Sequence, residues 1–427
     1  MSPQDPPGVA ARRAALKLLD AVLRRGLPLE GALASAVSGL ERADDRGLTH
    51  AIAAAVLRWL PDLDALIDSA TRKPLPHDAK ARTVLRIALA QALILDTPGH
   101  AAIATVLPLV DGGPRKLVHG VFGSLMRGGA KLPEVPTLAQ AVAERWRAAW
   151  GDEAIAAAQL MLAAPPPLDL SLADISATAE WAERLGGTSL LPGHVRLPAG
   201  ASVPELPGYG DGFWWVQDIA ASLPARLLGA GEGRSVLDLC AAPGGKTMQL
   251  AAAGWRVTAV DLSEARMKRL EANLARTKLS ARTVIADALL YAPDEQFDAV
   301  LVDAPCSATG IFRRHPDVLH RVRPRAIANL AGQQQAILAR AAQAVKPGGT
   351  LVYAVCSLEK EEGEQVADWF ASAHAEFDSV AAPGGLPGVQ PDGRIRITPA
   401  ILADEGGADG FFVAMFHRKD EQAPAVG

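Results

Sequence analysis

From about residue 212 onward, short apolar runs alternate with amphipathic helical stretches, and few architectures accept that order. The runs are SVLDLC (235–240), RVTAVD (256–261), ARTVIADA (281–288), FDAVLVDAPC (297–306) and GGTLVYAVC (348–356). Between them lie KTMQLAAAG, SEARMKRLEANLARTKL and NLAGQQQAILARAAQAV, whose apolar residues recur at helical spacing. A strand that is apolar on both faces must be covered on both. The alternation therefore predicts a doubly wound parallel sheet, with ligands bound at the carboxyl ends of its strands.

Upstream the period changes. Residues 9–130 read as helices throughout, punctuated by Gly26, Pro61, Pro74, Pro76, Pro98 and Gly99. KLPEVPTLAQ, with its two prolines, reads as a linker, and a further helix pair leads to Pro165, Pro166 and Pro167. The broken apolar segments of 168–205 suggest a small α+β subdomain. The expected organisation is an all-α domain over 1–132, a linker and small α+β subdomain over 133–205, an α/β Rossmann-like domain over 206–420, and a disordered tail at 421–427.

Hydrophobic residues make up 49% of the chain and charged residues 21%, enough apolar material for two or three cores. No run approaches the roughly 20 apolar residues a membrane span needs. The start, MSPQDPPGVAARRAALKLL, lacks the order of a signal peptide, because prolines and Asp5 precede the basic pair. A cytoplasmic chain with reduced thiols is expected. The net charge of −4 gives no general pull on nucleic acid. Basic residues nevertheless recur along the first helices, among them Arg12, Arg24, Arg82, Arg86, Arg115 and Lys116, which leaves room for an RNA-binding face.

The turn after the first strand, Cys240–Ala241–Ala242–Pro243–Gly244–Gly245–Lys246, is built of small residues that let a ligand approach the backbone, beside the start of a helix. It matches neither G-x-G-x-x-G nor a phosphate loop, since Leu239 stands where the latter needs its first glycine. A nicotinamide dehydrogenase or an NTPase is thereby disfavoured. Acidic residues then fall at successive strand ends: Asp261, 23 residues after Asp238, followed by Asp287 and Asp303. Three carboxylates at that edge suit an adenosine with a cationic amino-acid tail, and S-adenosylmethionine meets all three needs. Arg266, early in the second helix, joins the candidate cofactor residues.

The three cysteines sit in DLCAAPGGKT, DAPCSATGIFRRHPD and YAVCSLEKEEGEQV, and none has the CxxC spacing of a metal site. These motifs resemble those of the RNA (cytosine-5) methyltransferases of the Sun/Fmu/Nop2 group, and within it the bacterial enzymes of 16S ribosomal RNA. The helical start resembles the NusB-like domain that such enzymes carry, and DGFF at 409–412 fits their closing strand. The resemblance implies S-adenosylmethionine as cofactor, RNA as partner, neither membrane nor metal, and a monomeric chain. It implies covalent catalysis, in which a thiolate adds to C6 of cytosine and makes C5 nucleophilic.

By resemblance Cys356 is the nucleophile and Cys306 assists release. Asp303 contacts cofactor and base, and Lys246 stabilises charge near them. The competing assignment makes Cys306 the nucleophile, as the Pro-Cys thiol is in DNA cytosine-5 methyltransferases. The acidic run Glu359, Glu361, Glu362 and Glu364, read as a helix start after Cys356, favours the RNA-type arrangement. Cys240 reads as a bystander within the cofactor turn. The basic stretch with Arg313, Arg314, His315 and Arg321 is expected to hold RNA phosphates, and Gln217–Asp218 to lie over the cofactor.

The chain departs from the family pattern in three places. Val355 replaces a threonine, Val318–Leu319–His320 replaces Ile-Lys-Trp, and PLDLSLAD (167–174) lacks an arginine. The rival readings are the same reaction on tRNA, a non-catalytic RNA-binding assembly factor, and an amino-group methyltransferase. The last would want [ND]PP[YF] where Asp303–Ala304–Pro305–Cys306 stands.

Overall fold

The computed structural model describes residues 7–420, which divide into two compact units. The expected disordered tail at 421–427 lies outside the described residues. The first unit comprises the chain up to Ala148 with Ala158–Ala164 and Phe312–Val322; the second holds Ala149–Ala157, Pro165–Ile311 and the chain from Arg323 on.

The first unit is helical: α1 (Val9–Leu23), α2 (Leu29–Val37), α3 (Ala43–Arg58), α4 (Leu60–Ser69), α5 (Lys80–Leu93), α6 (Gly99–Val106) and α7 (Gly112–Arg127). α1 buries Ala11, Ala14, Ala15, Leu18, Leu19 and Val22, the stripe its spacing predicts. Pro61 sits in the first turn of α4, where its missing N–H is no loss. α5 is apolar nearly all round and is buried from Val84 to Gln91.

Three of the arginines expected on an RNA-binding face are interior instead. Arg12 Nε donates to Gln91 Oε1 at 2.7 Å. Arg82 bonds Asp64 at 2.9 Å and Asp68 at 2.8 Å, and Arg86 reaches Asp64 at 2.8 Å. A buried guanidinium needs a fixed carboxylate partner, and the aspartates of α4 supply it. A longer helical stretch, α8 (Gln140–Ala163), is broken at Gly151, whose φ of 79° no other residue type adopts cheaply.

The segment Phe312–Val322 belongs to this helical unit. His320 Nε2 lies 2.7 Å from the Leu57 carbonyl, the Leu29 N–H donates to Asp317 Oδ2 at 3.3 Å, and Arg58 donates to the Arg313 carbonyl at 2.9 Å. Phe312 packs on Trp146, ring centroids 5.2 Å apart.

In the second unit, β1 (Leu168–Leu172), β2 (His194–Leu197) and β3 (Trp214–Val216) form an antiparallel sheet in the order β2-β1-β3, with α9 (Thr178–Leu185) against β2. The small α+β subdomain thus runs on to Val216, past the expected boundary at 205. It is pinned by Asp169, fully buried and gripped by Arg196 through two bonds of 2.7 and 2.8 Å.

After α10 (Ile219–Arg226) come β4 (Ser235–Leu239), α11 (Gly245–Ala252), β5 (Arg256–Asp261), α12 (Glu264–Thr277), β6 (Arg282–Ile285), β7 (Phe297–Asp303), α13 (Pro324–Gln343), β8 (Val345–Val355), α14 (Glu364–Ala373), β9 (Phe377–Val380), β10 (Ile395–Ile397) and β11 (Phe411–Arg418). The strand order is β10-β11-β8-β7-β4-β5-β6, with β9 also on β11. β4 to β8 pair in parallel, as expected. The sheet is mixed rather than wholly parallel, because β9, β10 and β11 pair antiparallel. No helix separates these three, so the chain turns back along the edge instead of crossing over a face.

Successive residues of the parallel strands pack into opposite cores. Leu237, Val300 and Val302 face one, and Val236, Ala299 and Leu301 the other. Each large apolar side chain buried this way contributes about 1.5–3 kcal/mol. The strand order reverses at β4, between β5 and β7. That leaves a crevice beyond the carboxyl ends of these strands.

Candidate active site

The chemistry-bearing residues line that edge. Cys240 directly follows β4, Asp261 ends β5, Asp287 lies two residues beyond β6, Asp303 ends β7, and Cys356 directly follows β8. β7 and β8 are neighbours in parallel register, so the loops leaving them run side by side. This brings Cys306 and Cys356, fifty residues apart, to an Sγ···Sγ distance of 3.5 Å.

The Cys306 thiol is pushed well above its usual range, first by its hydrogen bond with Cys356, then by burial and by negative charge at Cys356 and Glu362. It is a protonated thiol at neutral pH. Cys240, by contrast, is raised to about 12 by burial and by the carboxylates of Asp303, Asp261 and Asp238. A thiol held so is a poor nucleophile.

Lys246 Nζ donates to Asp303 Oδ2 at 2.7 Å and lies 5.2 Å from the centre of the Phe411 ring. Burial works against its charge. The ion pair with Asp303 and negative charge at Cys356 and Asp238 outweigh it, so the ammonium is kept.

The turn Cys240–Gly245 is tightly held. Gly244 has φ 103°, and a Cβ there would fall 2.8 Å from Leu270 Cγ. The Ala242 N–H donates to Asp261 Oδ2 at 3.1 Å. Asp261 Oδ1 accepts from Ser263 N–H and from Arg266, each at 2.9 Å. Arg266 is half exposed over a buried carboxylate, so a diol reaching Asp261 must share it with that guanidinium. Asp287 Oδ1 accepts from Leu289 N–H at 2.9 Å.

Beneath the turn, Asp238 is fully buried. Its Oδ2 accepts from Thr247 Oγ1 at 2.6 Å and its Oδ1 has no hydrogen-bond partner. Gln217 packs beside Gly245 and is fixed by Trp215 Nε1 at 2.8 Å and Gln249 at 2.8 Å. Asp218 caps α10.

The expected phosphate-binding stretch is split up. Arg313 is 1% exposed, and Arg321 Nε donates to Asp317 Oδ2 at 2.8 Å. Both are taken up by the packing of 312–322 in the helical unit; Arg314 and His315 are half-buried there. The acidic run after Cys356 is likewise not a helix start as a whole. α14 begins at Glu364, while Glu359 and Glu362 are buried in the loop before it. Sequence reasoning took Glu362 only as one member of the acidic run and passed over Gln334, Tyr353 and Arg396 around this loop. The Cys-Ser pair repeated at 306–307 and 356–357 was the one signal pointing to them.

Among the described residues no cluster of His, Cys, Asp or Glu could hold a metal ion, and no helix is long and apolar enough to cross a membrane.

Residues 225–417 match the family model "16S rRNA methyltransferase RsmB/F", and residues 9–126 match the NusB family. The chain is 35% identical to ribosomal RNA small subunit methyltransferase B of Xylella fastidiosa strain Temecula1, across 95% of this chain and 97% of that protein. It is also 35% identical to the protein of that name from Pseudomonas syringae pv. tomato, across 94% and 96%. The crystal structure of PH0851 superposes with a TM-score of 0.74 at 23% identity, covering 97% of this chain and 99% of that one, a likeness of fold. Nearly full-length identity at this level, on both domains, decides the matter: the chain belongs to the ribosomal RNA small subunit methyltransferase B family.

Proposed function

We propose that this methyltransferase uses S-adenosylmethionine to methylate C5 of a cytosine in 16S ribosomal RNA, through a covalent adduct on Cys356. The observation carrying the reading is the pair of thiols 3.5 Å apart at the ends of adjacent parallel strands, beside the Lys246–Asp303 ion pair. The cofactor fits the residues present. The small-residue turn, the buried Asp261 acceptor and the carboxylates of Asp287 and Asp303 suit an adenosine with a cationic tail. Bound there, S-adenosylmethionine supplies an electrophilic methyl group.

The remaining chemistry falls to the protein. The Cys356 thiolate adds to C6, and the ring electron pair moves to C5, the carbon that is methylated. Once C5 carries the methyl group, its proton passes to water, the C–H electron pair forms the C5–C6 double bond, and the C6–S bond breaks to release the Cys356 sulfur. Cys306, kept protonated, is suited to give its proton to the departing sulfur. Cys240 is too strongly held in its neutral form to act as the nucleophile. Asp303 orients Lys246 and accepts from the base edge. Arg314 and His315 remain the proposed RNA contacts of the basic stretch. The target base must be turned out of its stack to reach the thiols.

Trapping with RNA containing 5-fluorocytosine tests the roles. Cys356→Ala is expected to lose turnover and adduct, and a persistent adduct would remove the assignment. Cys306→Ala is expected to accumulate a covalent protein–RNA species. Absence of both adduct and activity in that variant would exchange the two roles.

A further inference from the structure

We infer that Glu362 is the positioning residue of the two-thiol site, its buried carboxylate setting how the Cys306 and Cys356 loops lie against each other. The inference rests on the two-thiol reading but concerns a residue outside it. Glu362 is completely buried and serves the residue following each thiol. Its Oε1 accepts from the Ser307 N–H at 2.8 Å and from Gln334 Nε2 at 3.2 Å. Its Oε2 accepts from the Ser307 hydroxyl at 2.5 Å and the Ser357 hydroxyl at 2.6 Å. Four donors match the four lone-pair directions of an ionised carboxylate.

The surroundings hold the same two loops. The Gly310 N–H donates to the Cys356 carbonyl at 3.1 Å, and the Gly310 carbonyl accepts from Gly410 N–H at 2.8 Å. Arg396 donates to the Ser357 carbonyl at 2.6 Å while paired with Glu364 at 2.9 and 2.6 Å. Tyr353 donates to the Glu362 carbonyl and so fixes the backbone that carries the carboxylate. Glu362 brings a carboxylate to the neighbours of both cysteines, beside the Thr309 hydroxyl, which lies 3.4 Å from Ser307 Oγ and 3.3 Å from Ser357 Oγ. A buried acid at this place is hard to account for by stability alone, since a well-packed apolar residue would serve a core as well. Its negative charge also helps keep Cys306 protonated.

The test compares full-length Glu362→Ala and Glu362→Gln with wild type, using a 16S rRNA transcript and S-adenosylmethionine. In Glu362→Ala the single-turnover rate is expected to fall at least about 100-fold while KM for RNA stays within about threefold, as when reacting groups lose alignment rather than affinity. Glu362→Gln keeps one acceptor oxygen and should recover about tenfold of that loss. Phenylarsine oxide, which must bridge two close thiols, should bind Glu362→Ala about tenfold more weakly than wild type, a readout independent of turnover. A rate within threefold of wild type, a loss carried by KM, or unchanged arsenical binding would overturn the inference. Should Glu362→Ala not fold, Glu362→Gln decides, and a rate within about twofold of wild type overturns it. Failure of the two-thiol reading itself shows separately, as an adduct persisting in Cys356→Ala.

Discussion

Asp238 offers a sharp test of how the cofactor turn is built, because its charge is expensive where it sits. The carboxyl is fully buried at the end of β4, with one oxygen on Thr247 and the other without a partner. Burial pushes it from 3.8 up to about 7; Thr247 and Lys246 oppose this, and Asp303 and Asp261 add to it. The folded protein therefore holds a proton that the unfolded chain releases near pH 4. Stability from this group is greatest below pH 4 and is lost as the pH rises to about 7. At about 1.4 kcal/mol per unit, the loss reaches about 1.7 kcal/mol at pH 5 and about 4.3 kcal/mol at pH 8.

Asp238→Asn removes the titration. Whatever packing the amide disturbs is the same at both pH values and drops out of the comparison. The variant should therefore gain about 2.5 kcal/mol relative to wild type between pH 5 and pH 8. Urea unfolding at the two pH values, followed by tryptophan fluorescence, measures this difference. A variant-minus-wild-type difference flat to within about 0.5 kcal/mol would refute the reasoning and place Asp238 in an ionised, compensated state.

Two further outcomes are expected. A Cβ at Gly310 would lie 1.9 Å from the Gly410 carbonyl oxygen, backbone against backbone. Gly310→Ala should thus destabilise the catalytic unit by roughly 3 kcal/mol or more and suppress adduct formation, read by thermal melting and trapping. His320, drawn down to about 4 mainly by burial, contributes stability that is present above pH 6.5 and lost as the pH falls toward 4. Relative to His320→Asn, wild type should lose about 2.5 kcal/mol between pH 7 and pH 4.5, measured by chemical unfolding.

β4, β5 and β7 were legible because each is an apolar run with Asp238, Asp261 or Asp303 at or next to its end, and burial on both faces writes itself into composition. The small sheet was not. β1, β2 and β3 are three to five residues long and pair across stretches of irregular chain. The thiols could be named from their motifs, but their approach depends on two distant strands being neighbours. Charge misled where it was interior: Arg82 and Arg86 read as part of an RNA-binding face, and Glu362 as one member of an acidic run. Nothing local separates a buried ion from an exposed one when its partner lies elsewhere in the chain. The same holds for Arg313, whose burial depends on helices some 250 residues earlier.

That last arrangement governs how the protein can be made. The helical unit draws Phe312–Val322 from the middle of the catalytic sequence, and with it the groups that meet Leu29, Leu57 and Arg58. Emerging from the ribosome, the helical unit, with its part of the chain up to Ala148 and Ala158–Ala164 already made, lacks one of its own segments until residue 322 has been synthesised. The two units are thus not beads on a string, and a cut at either proline-rich boundary separates sequence without separating folds.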